Sequence, residues 1–139
     1  MTALAMFIPL IMGTAGNAGS QTATLTVRGL ATSEIGTGRF LMFVMQEIGT
    51  GALLGLGLGT GACFLAFFLT SNFSLGIAVG SAIFFTVVCA NIVGMSLPFG
   101  FRLFRVDPAV ASAPLITTIG DAIGLLLYFN IAQVFLRLI

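Results

Sequence analysis

Long apolar stretches separated by short polar breaks are the main feature of this chain. Three of them, at about residues 40–69, 75–101 and 109–136, exceed the roughly 20 residues that a helix needs to cross the hydrocarbon core of a bilayer. A fourth stretch, at about residues 1–27, begins apolar and continues with small and polar residues. Polar residues at membrane depth normally face a bundle interior or a watery cavity. The pattern predicts an all-α integral membrane protein with four transmembrane helices in one domain, residues 1–139.

Composition supports the membrane assignment and excludes other classes of protein. Hydrophobic residues make up 58% of the chain and charged residues 6%, whereas a soluble domain carries about 25% charged residues. No basic patch is available for nucleic acid. The cysteines, Cys63 and Cys89, lie in apolar runs without metal-site spacing, so we expect them to be free. Because motifs for nucleophilic or metal-assisted catalysis are also missing, we expect neither an enzyme nor a cofactor.

The arginines predict the orientation. Arg28 and Arg39 lie between the first two segments, and Arg102 and Arg105 between the last two, whereas the turn at residues 70–74 is uncharged. Arginine excess marks cytoplasmic loops, so both charged loops are expected inside and both chain ends outside, in a multi-pass protein of the cell (inner or plasma) membrane. A helix that starts outside at residue 1 has nothing upstream to drive its translocation. We therefore expect a further helix before it.

Asp121 is the most informative residue because it lies midway along the last segment. A charge at that depth costs at least about 2.5–3.5 kcal/mol on insertion scales, and the chain supplies no cation at comparable depth. At about 100° per residue, Asp121 shares one narrow face with Ala113, Thr117, Gly124 and Tyr128. This face suits a water-filled path or a close helix contact. The alternative is a protonated or hydrogen-bonded Asp121 that only holds the structure together.

A second candidate feature is the polar run at residues 13–24. If it is helical, one stripe contains Gly13, Asn17, Gln21, Thr24 and Arg28. Amide and hydroxyl oxygens can bind the water shell of a cation without removing it, and Mg²⁺ dehydrates reluctantly. Small and hydroxylated residues also let membrane helices approach closely. The run alone therefore fits a cation path and a packing surface equally.

Glycines at a spacing of four predict close packing of the middle helices. They are Gly51, Gly55 and Gly59, accompanied by Gly57 and Gly61, and then Gly76 and Gly80. Asn91 is expected to form a hydrogen bond between helices, and Pro98 to bend or end the third segment. Glu47 either attracts cations at a pore mouth or is an interfacial or arginine-paired carboxylate. Asp107 and Pro108 resemble the cap and first turn of the last helix.

Taken together, several motifs resemble those of the MgtE-type magnesium channels. The longest is the run from residue 9 to residue 24, PLIMGTAGNAGSQTAT, which is followed by VRGLA at residues 27–31. The others are Gln46-Glu47-Ile48-Gly49, Ala90-Asn91-Ile92-Val93-Gly94, Leu97-Pro98-Phe99, Val106-Asp107-Pro108-Ala109 and Thr117-Thr118-Ile119-Gly120-Asp121. Each motif is modest by itself. Their ordered set covers nearly the whole chain and is specific.

The resemblance implies a homodimer whose pore lies at the two-fold axis, walled by the first and last helices. It implies that Asp121 binds Mg²⁺ and that Asn17 and Thr117, which line the pore, belong to the same metal site. The other expected pore-lining residues are Gly13, Gly16, Gln21, Thr24, Ala113, Gly120 and Gly124. The chain also departs from the family pattern. The family's first membrane helix and its cytosolic sensor domains have no match here, and Ala113 and Ser20 replace amides of some members.

Three functions are compatible with these features. The first is a homodimeric channel in the lipid bilayer that passes hydrated Mg²⁺ down its electrochemical gradient. Sites built only of oxygen ligands bind several hard cations, so Mn²⁺, Co²⁺ and Ca²⁺ are further candidates for the transported ion. The second is a proton- or sodium-coupled divalent cation exchanger of the same fold. The third is a non-conducting membrane scaffold subunit in which Asp121 serves assembly.

Overall fold

Every regular element that the computed structural model describes, within residues 2–137, is a helix. A short helix, α1, precedes four long ones. The helices are α1 (Thr2–Ala5), α2 (Ile8–Ala31), α3 (Phe40–Thr70), α4 (Phe73–Leu103) and α5 (Ala113–Arg137). Single 3₁₀ turns, Thr37–Arg39 and Pro108–Val110, precede α3 and α5. The prediction of an all-α protein is confirmed for the described residues.

Three of the long helices have the length and apolar character of membrane spans. They are Phe40–Thr70, Phe73–Leu103 and Ala113–Phe135. These three helices support a multi-pass membrane protein. The remaining long helix, α2, has 24 residues and so the length to span, but its polar residues lower its hydropathy. The predicted total of four spans therefore stays a prediction.

The ends of the helices differ from the predicted ones at the two chain-terminal segments. The first segment is interrupted at Met6 and Phe7, and α2 then continues to Ala31; residue 1 lies outside the described residues. Pro9 stands in the first turn of α2, where its missing N–H leaves no helical hydrogen bond unmade. The last long helix begins at Ala113 instead of residue 109, because the residues before it form the second 3₁₀ turn.

Pro98 and Asp107 are two positions where the structure differs in part from the predicted helix boundaries. α4 runs through Pro98 and ends at Leu103, so the proline does not end the helix. The Asp107 side chain accepts a hydrogen bond from the backbone N–H of Ala109 at 2.9 Å. Asp107 therefore caps a helical turn as predicted, but the turn is the 3₁₀ turn before α5.

The central helix of the bundle is α4. It packs against α2, α3 and α5, and α2 also packs against α5. Its buried side chains include Val79, Ile83 and Val87, which meet Ile11 of α2 and Tyr128 of α5 in one apolar core. α2 and α5 thus lie side by side on α4, and this arrangement positions the polar residues of both.

Glycines of α3 and α4 allow the backbones of the two helices to touch. A methyl group added at Gly59 would lie 2.6 Å from the carbonyl oxygen of Gly80, and one at Gly80 would lie 2.7 Å from that of Gly59. Added methyl groups at Gly51, Gly55 and Gly76 would also meet backbone atoms of the neighbouring helix. The predicted packing role is confirmed for these five glycines. It is wrong within the protomer for Gly57 and Gly61, which are exposed with nothing within 4 Å, because they project from the opposite side of α3.

Tyr128 ties α5 to the start of the chain. Its side chain is fully buried, and its hydroxyl donates a hydrogen bond of 2.9 Å to the carbonyl oxygen of Leu4. That oxygen also accepts from the N–H of Phe7 at 3.2 Å. We expect Tyr128→Phe to lower the free energy of unfolding by only about 1 kcal/mol, because the carbonyl keeps its second partner. Thermal unfolding in detergent measures this, and an unchanged midpoint would contradict it.

Candidate functional site

Asp121 lies at the contact between α5 and α2. It follows Ala113, the first residue of α5, by about 12 Å along the helix axis at about 1.5 Å per residue. Its Oδ1 would lie 3.3 Å from a methyl group added at Gly16 of α2, and the Cγ2 of Thr117 would lie 3.1 Å from the same group. The fold therefore brings together Gly16, Thr117 and Asp121 from two distant parts of the sequence.

The Asp121 carboxyl group has an unusual environment. Oδ1 is buried and has no hydrogen-bond partner among the described residues, whereas the side chain as a whole is only partly buried. A buried polar atom without a partner carries a desolvation cost of about 1–3 kcal/mol, more for a charged group. Asp121 is also the only charged residue between Ala113 and Phe135. Oδ1 therefore lacks a compensating partner among the described residues, and the exposed part of the side chain is where a cation, water or proton would reach the carboxyl group.

The polar run on α2 is helical, so its residues do align on one stripe, and this stripe is exposed in the protomer. Its members are Gly13, Asn17, Gln21, Thr24 and Arg28. Asn17 follows Gly16 directly, so the stripe borders the contact that holds Asp121. Lipid tails cannot form hydrogen bonds with amides and hydroxyls. This face therefore suits water or another protein surface better than lipid.

Thr117 and Ala113 extend this polar region along α5. The hydroxyl of Thr117 donates a hydrogen bond of 3.0 Å to the carbonyl oxygen of Pro114. The threonine side chain is partly exposed. Ala113 is exposed at the start of the helix. Both residues lie on the same side of α5 as Asp121, as the helical spacing predicted. Their part in lining a pore stays a prediction.

The remaining glycines of the predicted pore wall lie at helix contacts inside the protomer. A methyl group at Gly120 would lie 3.4 Å from the carbonyl oxygen of Ala15, and one at Gly124 would lie 3.1 Å from Cγ2 of Thr86. Both glycines are buried, as is Tyr128 one turn further on. The part of the face after Asp121 therefore packs against α2 and α4. Helical spacing could not separate these contacts from an aqueous surface.

A second polar group occurs where α2, α3 and α4 meet. The hydroxyl of Thr22, which is buried, donates to Oε2 of Glu47 at 3.4 Å. One turn further along α3, a methyl group at Gly51 would lie 3.4 Å from Nδ2 of Asn91. Glu47 thus has a threonine hydroxyl as partner. Asn91 is buried, but its Oδ1 has no hydrogen-bond partner among the described residues, so the predicted interhelical bond is not seen at that oxygen.

Comparison with known proteins identifies the family. Residues 8–131 match the sequence profile of MgtE, described as a divalent cation transporter. This chain belongs to the MgtE family. The magnesium transporter MgtE of Thermus thermophilus is 39% identical over 137 residues, that of Enterococcus faecalis 39% over 134, and that of Bacillus subtilis 33% over 137. The aligned regions cover 99%, 96% and 99% of this chain but 30% of each relative.

Family membership confirms the resemblance drawn from the motifs. MgtE proteins form a transporter family and not an enzyme family. With the apolar helices, the match supports a multi-pass membrane protein of a family that transports divalent cations. The chain spans about three-tenths of the length of the curated relatives it matches. The shared region contains both the polar stripe of α2 and Asp121.

Proposed function

We propose that two copies of this chain form a channel that passes hydrated Mg²⁺ across the cell membrane, with Asp121 as the ion-binding residue. The observation that carries the proposal is the buried Oδ1 of Asp121, which has no hydrogen-bond partner within the described residues although it lies about two turns inside α5. A carboxylate at membrane depth is costly unless something compensates its charge. A passing divalent cation supplies that compensation.

The exposed stripe on α2 supports a pore between two protomers. Asn17, which adjoins the Gly16 in contact with Asp121, and Gln21 one turn further along α2 are exposed on the protomer, where lipid tails offer no hydrogen bonds. A two-fold axis next to this face would place the same residues on both sides of one path. Two Asp121 carboxylates would then face each other, and their repulsion favours either a bound divalent ion or a shared proton.

The chemistry of this face favours a hydrated ion. Asn17, Gln21 and Thr117 offer amide and hydroxyl oxygens, which bind the water shell without replacing it. Mg²⁺ usually keeps several of its waters when proteins bind it. In this proposal Mg²⁺ is the transported ion, and Mn²⁺, Co²⁺ and Ca²⁺ are the competing ions to test because oxygen sites bind them too.

The direct test is Mg²⁺ flux into liposomes that contain the purified chain and a Mg²⁺-sensitive dye. At clamped pH and without Na⁺, a channel gives uptake driven by the Mg²⁺ gradient alone, and protein-free liposomes give none. Uptake that requires a proton or sodium gradient would instead establish a coupled exchanger. If flux does not exceed the protein-free background, the transport proposal is wrong and a scaffold role replaces it. The same assay with the other divalent ions measures selectivity.

A further inference from the structure

We infer that Gly16 is a positioning residue for the Asp121 carboxylate, an inference that rests on the proposed function. Without a side chain, Gly16 leaves a space between α2 and α5 that Oδ1 of Asp121 and the methyl group of Thr117 occupy. A methyl group at Gly16 would lie 3.3 Å from that oxygen, 3.1 Å from Cγ2 of Thr117 and 3.3 Å from its Cβ. All three distances are tighter than ordinary contacts, so the neighbours would have to move by a few tenths of an ångström.

Gly16 differs in this respect from the glycines one turn away on α2. A methyl group at Gly13 would meet nothing within 4 Å. One at Gly19 would lie 3.1 Å from Cγ2 of Ile116 and 3.2 Å from the carbonyl oxygen of Ala90, with no carboxylate among its nearest neighbours. Gly19 therefore serves helix packing alone. Gly16 combines helix packing with direct contact to the proposed ion-binding group.

The space at Gly16 determines the position of the Asp121 carboxyl group. Oδ1 is buried against Gly16 while the side chain stays partly exposed, so one side of the group is held between the helices. A methyl group at position 16 would shift Oδ1 by a few tenths of an ångström, and this shift would change the distance between the two Asp121 groups of the proposed dimer. Metal sites are sensitive to such supporting contacts.

We expect Gly16→Ala to raise the Mg²⁺ concentration for half-maximal flux by about tenfold, the low end of what losing a supporting group costs a metal site. Mg²⁺ should also protect this variant less against thermal unfolding. Gly19→Ala is the control, since it crowds α2 against Ile116 of α5 and Ala90 of α4 without touching the carboxylate. It should lower the unfolding temperature and leave the half-maximal concentration unchanged.

A second pair of variants separates positioning from packing. Thr117→Ser removes the Cγ2 nearest to position 16 and keeps the hydroxyl that donates to Pro114. The double variant with Gly16→Ala and Thr117→Ser should be nearly as thermally stable as Thr117→Ser alone. Its Mg²⁺ concentration for half-maximal flux should nevertheless stay about tenfold higher than that of Thr117→Ser alone. This pair also decides the question if Gly16→Ala alone does not fold.

The positioning role would be overturned if the double variant and Thr117→Ser alone needed the same Mg²⁺ concentration for half-maximal flux. Wild-type chain that conducts no Mg²⁺ would instead overturn the proposed function, so the two failures are distinguishable. An increase as large for Gly19→Ala as for Gly16→Ala would also count against the inference, because helix crowding alone would then explain it.

Discussion

Asp121→Asn is expected to lower Mg²⁺ flux by at least about tenfold, a loss typical of damage to a metal site. Asparagine has nearly the same shape as aspartate, so it fits between Gly16 and Thr117 with little change in packing. It lacks the negative charge that, in the proposed pore, attracts a divalent ion. In the proposed dimer the repulsion between two facing carboxylates would disappear as well, so the association of the two copies should be at least as stable as in the wild type.

The measurement pairs flux in liposomes with the oligomeric mass in detergent. Asp107→Asn is the matched control, because it makes the same chemical change at an exposed residue that caps the turn before α5. It should leave Mg²⁺ flux near that of the wild type. Undiminished flux through Asp121→Asn, in correctly assembled protein, would remove Asp121 from the ion path.

Gly59→Ala is expected to destabilise the protein by about 3 kcal/mol or more, at the upper end of the range for overpacked sites. The added methyl group would lie 2.6 Å from the carbonyl oxygen of Gly80, which belongs to the α4 backbone. A flexible side chain could rotate away from such a group, but a helix backbone cannot. α3 and α4 would have to separate, and the contacts of the neighbouring glycines Gly55 and Gly76 would loosen with them.

Gly57→Ala provides the comparison on the same helix. The site is exposed with nothing within 4 Å, so alanine should be neutral or stabilise the helix by up to about 1 kcal/mol. Thermal unfolding followed by circular dichroism measures both variants. Equal unfolding temperatures for the two would show that the close approach of α3 and α4 does not limit stability.

Much of the architecture could be predicted from the sequence because membrane-spanning helices depend on local properties. An apolar stretch long enough to cross the bilayer core forms a helix whatever its neighbours are. In lipid its backbone N–H and C=O groups can form hydrogen bonds only within the helix itself. The ends of the middle two segments were therefore predicted to within a few residues. The alignment of Asn17 and Gln21 on one stripe likewise follows from the helical repeat alone.

The helix ends nearest the chain termini depended on turn and capping effects that hydropathy does not reflect. At the start, Pro9 favours a helix beginning beside it, and the chain turns at Met6 and Phe7 before α2. Before α5, the cap supplied by Asp107 stabilises a short turn that does not continue into the long helix. Hydropathy continues smoothly through both places. It therefore predicted longer helices than the protein has.

Sequence by itself determined that this chain is a helical membrane protein of the MgtE family, that its last helix carries an isolated acid, and that α2 has one polar stripe. These properties follow from residue types and from the helical repeat. Only the tertiary structure decided which glycines pack and where the acid points. Asp121 and Gly16 meet because α2 and α5 pack in one register, with Gly120 against Ala15. That register arises from contacts between residues about a hundred positions apart, which no local pattern encodes.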